Sequence, residues 1–239
     1  MLEVPRPYQG GIAPIPIVLE GREPLQPAIS FADAIVETSS YPGRVFKGPD
    51  VIDLGRHQES LGELIHFTIY DPRHREAARI FEVLSNGKIL VNVRPFIGNE
   101  SSVNIDFRKH ARNGSVAHSH PGDSIFSPAD LESLLTPDSK FGATSSEALV
   151  TLVRKLILFR GEHTPFFSNP ENSIGVHRKR ILRILDKGVK DGVISRFQTG
   201  EEVEIAVFRE LVKIFGFQVF EGGVRDRFLR RVPPDMIAR

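Results

Sequence analysis

The sequence predicts an α/β (α+β) fold: a mixed β-sheet flanked by helices, with a proline- and glycine-rich N-terminal extension and helices towards the C-terminus. Three observations carry this. "RIFEVLSNGKILVNVRPF", Arg79 to Phe96, reads as two apolar β-type runs joined by Asn86-Gly87, a strong hairpin signal. Late in the chain, Ile174, Ile181, Ile184 and Leu185, and then Val203, Val207, Leu211 and Ile214, fall at helical spacing in two successive segments. By contrast, the first fifty-odd residues hold only short apolar runs such as "IPIVL" and "FADAIV" among prolines and glycines.

The elements follow in order. Residues 1–55 are expected as an arm or lead-in, 56–222 as the main domain and 223–239 as an Arg-rich tail with proline where a helix should stop. "ELIHFTIY", Glu63 to Tyr70, alternates enough to be read as a strand. Ser115 to His118 is a short strand leading to a turn at Pro121 and Gly122. "SPADLESLL" opens a helix: Ser127 suits the N-cap, Pro128 the first helical position, and Asp130 the first turn, where negative charge is favoured. Glu147 to Phe159 is read as strand from its β-branched content, with a helix also compatible with its period, and "GFQVFEGG" as a last strand.

Composition narrows the chemistry. With 40% apolar residues in 239 the chain can bury a sizeable core. Cysteine is absent, which excludes disulfides, thiolate metal sites and a cysteine nucleophile, so any metal must be held by nitrogen and oxygen. Thirty-one basic residues against thirty acidic ones give a net charge of +1, which argues against nucleic acid or anionic lipid as a partner of the whole chain. No targeting segment or membrane-length apolar run is evident, and a cytoplasmic location is expected.

The stretch "HSHPGDSIFSPADL" concentrates the candidate chemistry. In extended backbone, residues two apart point the same way, so His118 and His120 can present both imidazoles to one point. The turn then brings the helix start close, and Asp130 can add a carboxylate. Two histidines and one carboxylate suffice for a catalytic zinc, which keeps a fourth position open and makes water a nucleophile near neutral pH.

"HSHP" followed by "SPAD" resembles the signature of the JAMM (MPN+, Mov34/JAB) metalloproteases: an upstream Glu, then His-Ser/Thr-His-Pro, then Ser-x-x-Asp. The resemblance covers about Glu63 to Phe167, and Pro121–Phe126, the six residues before Ser127, are one fewer than the family usually has. It implies a JAMM/cytidine-deaminase-like sheet and a Zn2+ ion held by His118, His120 and Asp130. It further implies that Ser127 steadies the oxyanion and a glutamate activates water, as in zinc isopeptidases acting at the C-terminal tails of ubiquitin-like proteins. For the glutamate, Glu76, on or just before the first strand of the hairpin, stands first, Glu82 within that strand second, and Glu100 after the hairpin third. Ala77 and Ala78 stand where the family often has glycines. His74 and His110 read as surface residues; Asp123 and Ser124 read as turn residues that can border the leaving group.

Two other functions are compatible with parts of the chain. One is a metal-free scaffold of the same fold, against which the complete ligand set argues. The other is a nucleic-acid face made by "HRKRILR", His177 to Arg183, and the Arg-rich tail, against which Asp186, Asp191, Glu201, Glu202 and Glu204 argue. The N-terminal arm is placed to cover either the active site or a sheet edge.

Overall fold

The computed structural model describes residues 27–38, 45–71, 73–84, 86, 88–92, 94–99, 102–103, 113–121, 124–135, 143–197 and 199–237. Residues 1–26 of the expected arm, Glu100, His110, Gly122 and Asp123 lie outside them. In chain order the elements are β1 (Ile29–Ser30), α1 (Phe31–Thr38), β2 (Val51–Asp53), α2 (His57–Tyr70), β3 (Ala77–Val83), β4 (Ile89–Val91), β5 (Phe96–Ile97), β6 (Asn113–Ser119), α3 (Pro128–Leu135), β7 (Ala143–Val150), β8 (Arg154–Phe159), α4 (Pro170–Lys190), α5 (Gly200–Phe215), β9 (Gln218–Gly223) and β10 (Phe228–Val232), with a final 3-10 turn at Pro234–Met236.

The strands form one mixed sheet in the order β1-β2-β10-β9-β8-β7-β6-β3-β4, with β5 also paired to β3. β6 and β7 are parallel and joined through α3, a βαβ crossover; β3, antiparallel to β6, sits on its other side. Alternation along the strands sends side chains to two cores. On the first face, Phe81, Ala117, Ala148 and Ile157 pack beneath α1 and α2. On the second, Leu149, Leu156 and Leu158 pack beneath α3 and α5, with α4 outside. Each fully buried Leu or Phe here stabilises by ~1.5–3 kcal/mol.

The hairpin forms as expected: Phe81 faces Val91 and Val83 faces Ile89, while Asn86 Oδ1 accepts from Lys88 N at 3.0 Å in the turn. Its second arm stops at Val91, and Phe96–Ile97 returns to pair with Ala77 and Ala78. The Glu63–Tyr70 segment is not a strand but the second half of α2. Leu61, Leu64 and Ile65 are buried at helical spacing against the first face, and that packing outweighs the local alternation. The Glu147–Phe159 run is two antiparallel strands, β7 and β8, broken at Thr151–Val153.

α4 and α5 form where their periodicity placed them. Asn169 and Thr199 cap them by accepting from Asn172 N and Glu202 N, each at 3.2 Å. Gly216 closes α5 at φ 67°, a left-handed conformation that a side chain would strain. The Arg-rich tail contributes β10, inserted between β9 and β2, and in the expected arm Phe31 and Phe46 are buried. Among the described residues no helix is long and apolar enough to cross a membrane.

Candidate metal centre

The site begins with strand registry. Ala78 faces His118 across β3 and β6, and His118 faces Leu149 across β6 and β7. Ser119 lies between the two histidines and points to the opposite face, where its Oγ accepts from Ala77 N at 3.0 Å. That contact ties the end of β6 to the start of β3. His120 N donates to Val150 O at 3.0 Å, which holds the residue after β6 in line with β7. Further down β6, Gly114 passes so close to Phe81 that a Cβ there would lie 2.4 Å from Phe81 O. Only glycine lets the two strands meet at that point.

Both imidazoles therefore emerge on the second face at the C-terminal end of β6. Their Nε2 atoms are 3.2 Å apart, and Asp130 Oδ1 is 3.6 Å from His118 Nε2. Asp130 is aimed by its own helix start: Ser127 N donates to Asp130 Oδ2 at 2.6 Å, and Asp130 N donates to Ser127 Oγ at 3.4 Å. One carboxylate oxygen is thus spent on the cap and the other turned to the histidines. Ligand atoms of His118, His120 and Asp130 all lie within 4.8 Å of one another.

The opposite ring nitrogens are also held. His118 Nδ1 is 3.3 Å from Glu147 Oε1, and Ser133 Oγ donates to Glu147 Oε2 at 2.8 Å. His120 Nδ1 is 2.8 Å from Ser124 Oγ. Partners at both Nδ1 atoms favour protons there and leave the Nε2 lone pairs directed at one point.

Of the two candidate bases among the described residues, registry favours Glu76. Its Oε1 is 3.8 Å from His120 Nε2, and its backbone is fixed by Glu76 N donating to Asn99 O and Gly98 N donating to Glu76 O, both at 2.8 Å. Glu82 faces Gly114, four residues further along β3 than the Ala78–His118 pair and well away from the histidines. His74 is exposed. Sequence reasoning missed Glu147 and Ser133 and left Ser124 as a turn residue. For Glu147 the available signal was a carboxylate in an otherwise apolar strand segment, "EALV".

The electrostatics are those of an acidic, dry corner. Glu76, His118 and Glu147 are 7%, 3% and 5% exposed. Burial pushes Glu76 up to about 7, against the pull of His118. Burial also raises Glu147, again against His118. Asp130 stays low: burial opposes this, but His118, His120 and Ser127 N outweigh it. For His118 burial disfavours the cation, yet Asp130 and Glu147 push it up to about 10; for His120 burial and the charge on His118 bring it down to about 4. The two imidazoles are thus biased in opposite directions, His118 towards its cation by the carboxylates and His120 towards the neutral ring by burial.

The donor set fits a small divalent ion that takes nitrogen and oxygen ligands. Tetrahedral bonds of ~2.0–2.1 Å separate ligand atoms by about 3.3 Å. The 3.2 Å and 3.6 Å separations bracket that value. Scans of protein-family models, curated proteins and solved structures return no match to this chain. Two imidazoles and a half-buried carboxylate, at the end of one strand and the start of one helix, form a group able to hold a metal ion, with a second carboxylate alongside.

Proposed function

We propose that the protein is a zinc-dependent hydrolase of the JAMM type that cleaves peptide or isopeptide bonds at the C-terminal tail of a ubiquitin-like protein. The observation that carries the reading is the convergence of both Nε2 atoms and Asp130 on one point with the Glu76 carboxylate 3.8 Å from His120. His118, His120 and Asp130 hold the Zn2+. The chemistry that zinc supplies there is Lewis acidity, towards the scissile carbonyl and towards attacking water.

The chain's own residues do the rest. Glu76, a buried carboxylate beside His120, takes the proton from the attacking water and hands it to the leaving nitrogen. Ser127 Oγ accepts from Asp130 N, which leaves its own hydrogen to donate to the developing oxyanion. Phe126, buried with its ring edge-on to that of His118, keeps bulk water from this side of the corner.

The test uses the full chain. Purified protein is expected to carry about one zinc per chain and to cut a reporter fused to the tail of a ubiquitin-like protein, or an isopeptide-linked lysine on that tail. Glu76→Gln is expected to keep the zinc and lose the cleavage. Stoichiometric zinc with no cleavage of either substrate would remove the protease reading. No zinc in the wild-type protein would remove the metal reading as well.

A further inference from the structure

We infer that Glu147 is the positioning residue of the metal centre, holding His118 by the ring nitrogen turned away from the ion, with Ser133 holding Glu147 in turn. This rests on the metal reading above and adds to it two residues that the ligand motif does not contain.

Three features lead to it. The first is cost. Glu147 sits on β7 at a position that faces the second core, in register with Val116, with Leu149 next along the same face. A carboxylate placed there without a role is expensive, and an apolar residue of similar size is the ordinary occupant. The second is the partner list. Glu147 Oε1 meets His118 Nδ1 at 3.3 Å, and Oε2 accepts from Ser133 Oγ at 2.8 Å. The Ser133 hydroxyl also reaches Asp130 O, at the longer distance of 3.1 Å. Both partners thus belong to elements that carry ligands: β6 supplies His118, and α3 supplies Asp130 as well as Ser133. The third is direction. Glu147 lies across the imidazole from Nε2, so it does not join the ligand set but fixes the tautomer and ring plane of a residue that does.

The two histidines are therefore held unequally. His120 has a hydroxyl from Ser124 at Nδ1, whereas His118 has a carboxylate. A charged acceptor makes the stronger bond and the more basic imidazole. His118 becomes the anchoring ligand, and loss of Glu147 is the change outside the ligand set that weakens the centre most.

The experiment measures zinc binding to the full chain by competition with a chromophoric chelator, and records the visible spectrum after loading with Co2+. Wild type is compared with Glu147→Ala, Glu147→Gln and Ser133→Ala, and each metal-free variant is melted to check folding. Glu147→Ala is expected to raise the zinc Kd by roughly 10–100-fold and to shift the cobalt bands. Glu147→Gln, which keeps an acceptor without the charge, should return the bands towards wild type while recovering only part of the affinity. Ser133→Ala should weaken binding by under about tenfold. If Glu147→Ala fails to fold, the isosteric Gln variant decides. Wild-type affinity and bands in a folded Glu147→Gln and Glu147→Ala, or a lowered melting temperature with unchanged metal binding, would show a purely structural ion pair and overturn the inference. Failure of the wild type to bind either metal is a different result, because it removes the metal centre itself.

Discussion

The two faces of the sheet treat buried charge differently. On the face under α1 and α2 the buried cations stand apart: Arg79 pairs with the Glu63 carboxylate at 2.5 Å, and Lys155 Nζ donates to the backbone O of Asp226 at 2.6 Å. On the other face, where β3, β6 and β7 meet α3, the carboxylates of Glu76, Asp130 and Glu147 crowd two imidazoles. The two cations of the first face lie on separate strands and do not converge, and Arg79 Nε is left without a hydrogen-bond partner. The second face gathers three carboxylates against two imidazoles, a surplus that retained protons or an added cation would balance. A buried group becomes chemistry where local pairing leaves a surplus of charge aimed at one point.

The strongest way to break that comparison is to remove a converging group. Asp130→Ala or His118→Ala should weaken zinc binding by at least about 10³-fold, while Arg79→Met, on the first face, should leave it unchanged. Equal losses measured by chelator competition would erase the distinction between the faces. Next comes Glu76→Gln, expected to lower cleavage on the order of 10²–10⁴-fold with zinc retained, read from initial rates alongside metal content.

The cores themselves should be equivalent. Ile157 and Leu158 are neighbours on β8 that point into opposite cores, at 1% and 0% exposure. Replacing either by Ala is expected to cost ~2–5 kcal/mol in urea unfolding. A clear imbalance would show that one helix layer carries most of the stability.

A smaller effect comes from Lys155. Burial brings its ammonium down to about 8, with Asp226 opposing. A lysine lowered in the folded state is a penalty that is full below that value and is relieved as pH rises towards the unfolded pKa of ~10.4. Relative to Lys155→Met, wild type should therefore gain ~1–3 kcal/mol between pH 8 and 10.5; a flat difference would mean that the ammonium is well solvated. The smallest is Thr199→Ala, which removes the α5 cap and should cost about 1 kcal/mol without touching metal affinity.

How much of this was legible depended on how local the signal was. The start of α3 was readable because Ser127, Pro128 and Asp130 lie within one turn, and their bonds are made inside that turn. The hairpin at Asn86, the periodic α4 and α5 and the paired presentation of His118 and His120 were readable for the same reason. Glu63–Tyr70 misled because its alternation is also compatible with a helix once Leu61 extends the pattern backwards. The choice between Glu76 and Glu82 and the role of Glu147 were not readable. Each depends on which residue stands opposite His118 or Val116 in a neighbouring strand. The tail's strand depends likewise on β2 and β9 accepting β10 between them.

The sequence by itself determined the ligand types, their alternation and the helix that aims Asp130, since these are set by dihedral preference and hydrogen bonds over a few residues. Only the tertiary structure decided which glutamate stands beside the histidines and which one lies behind them. Strand pairing is non-local: a slip of one residue turns a side chain to the opposite face, and the packing of two cores across the whole sheet selects the register.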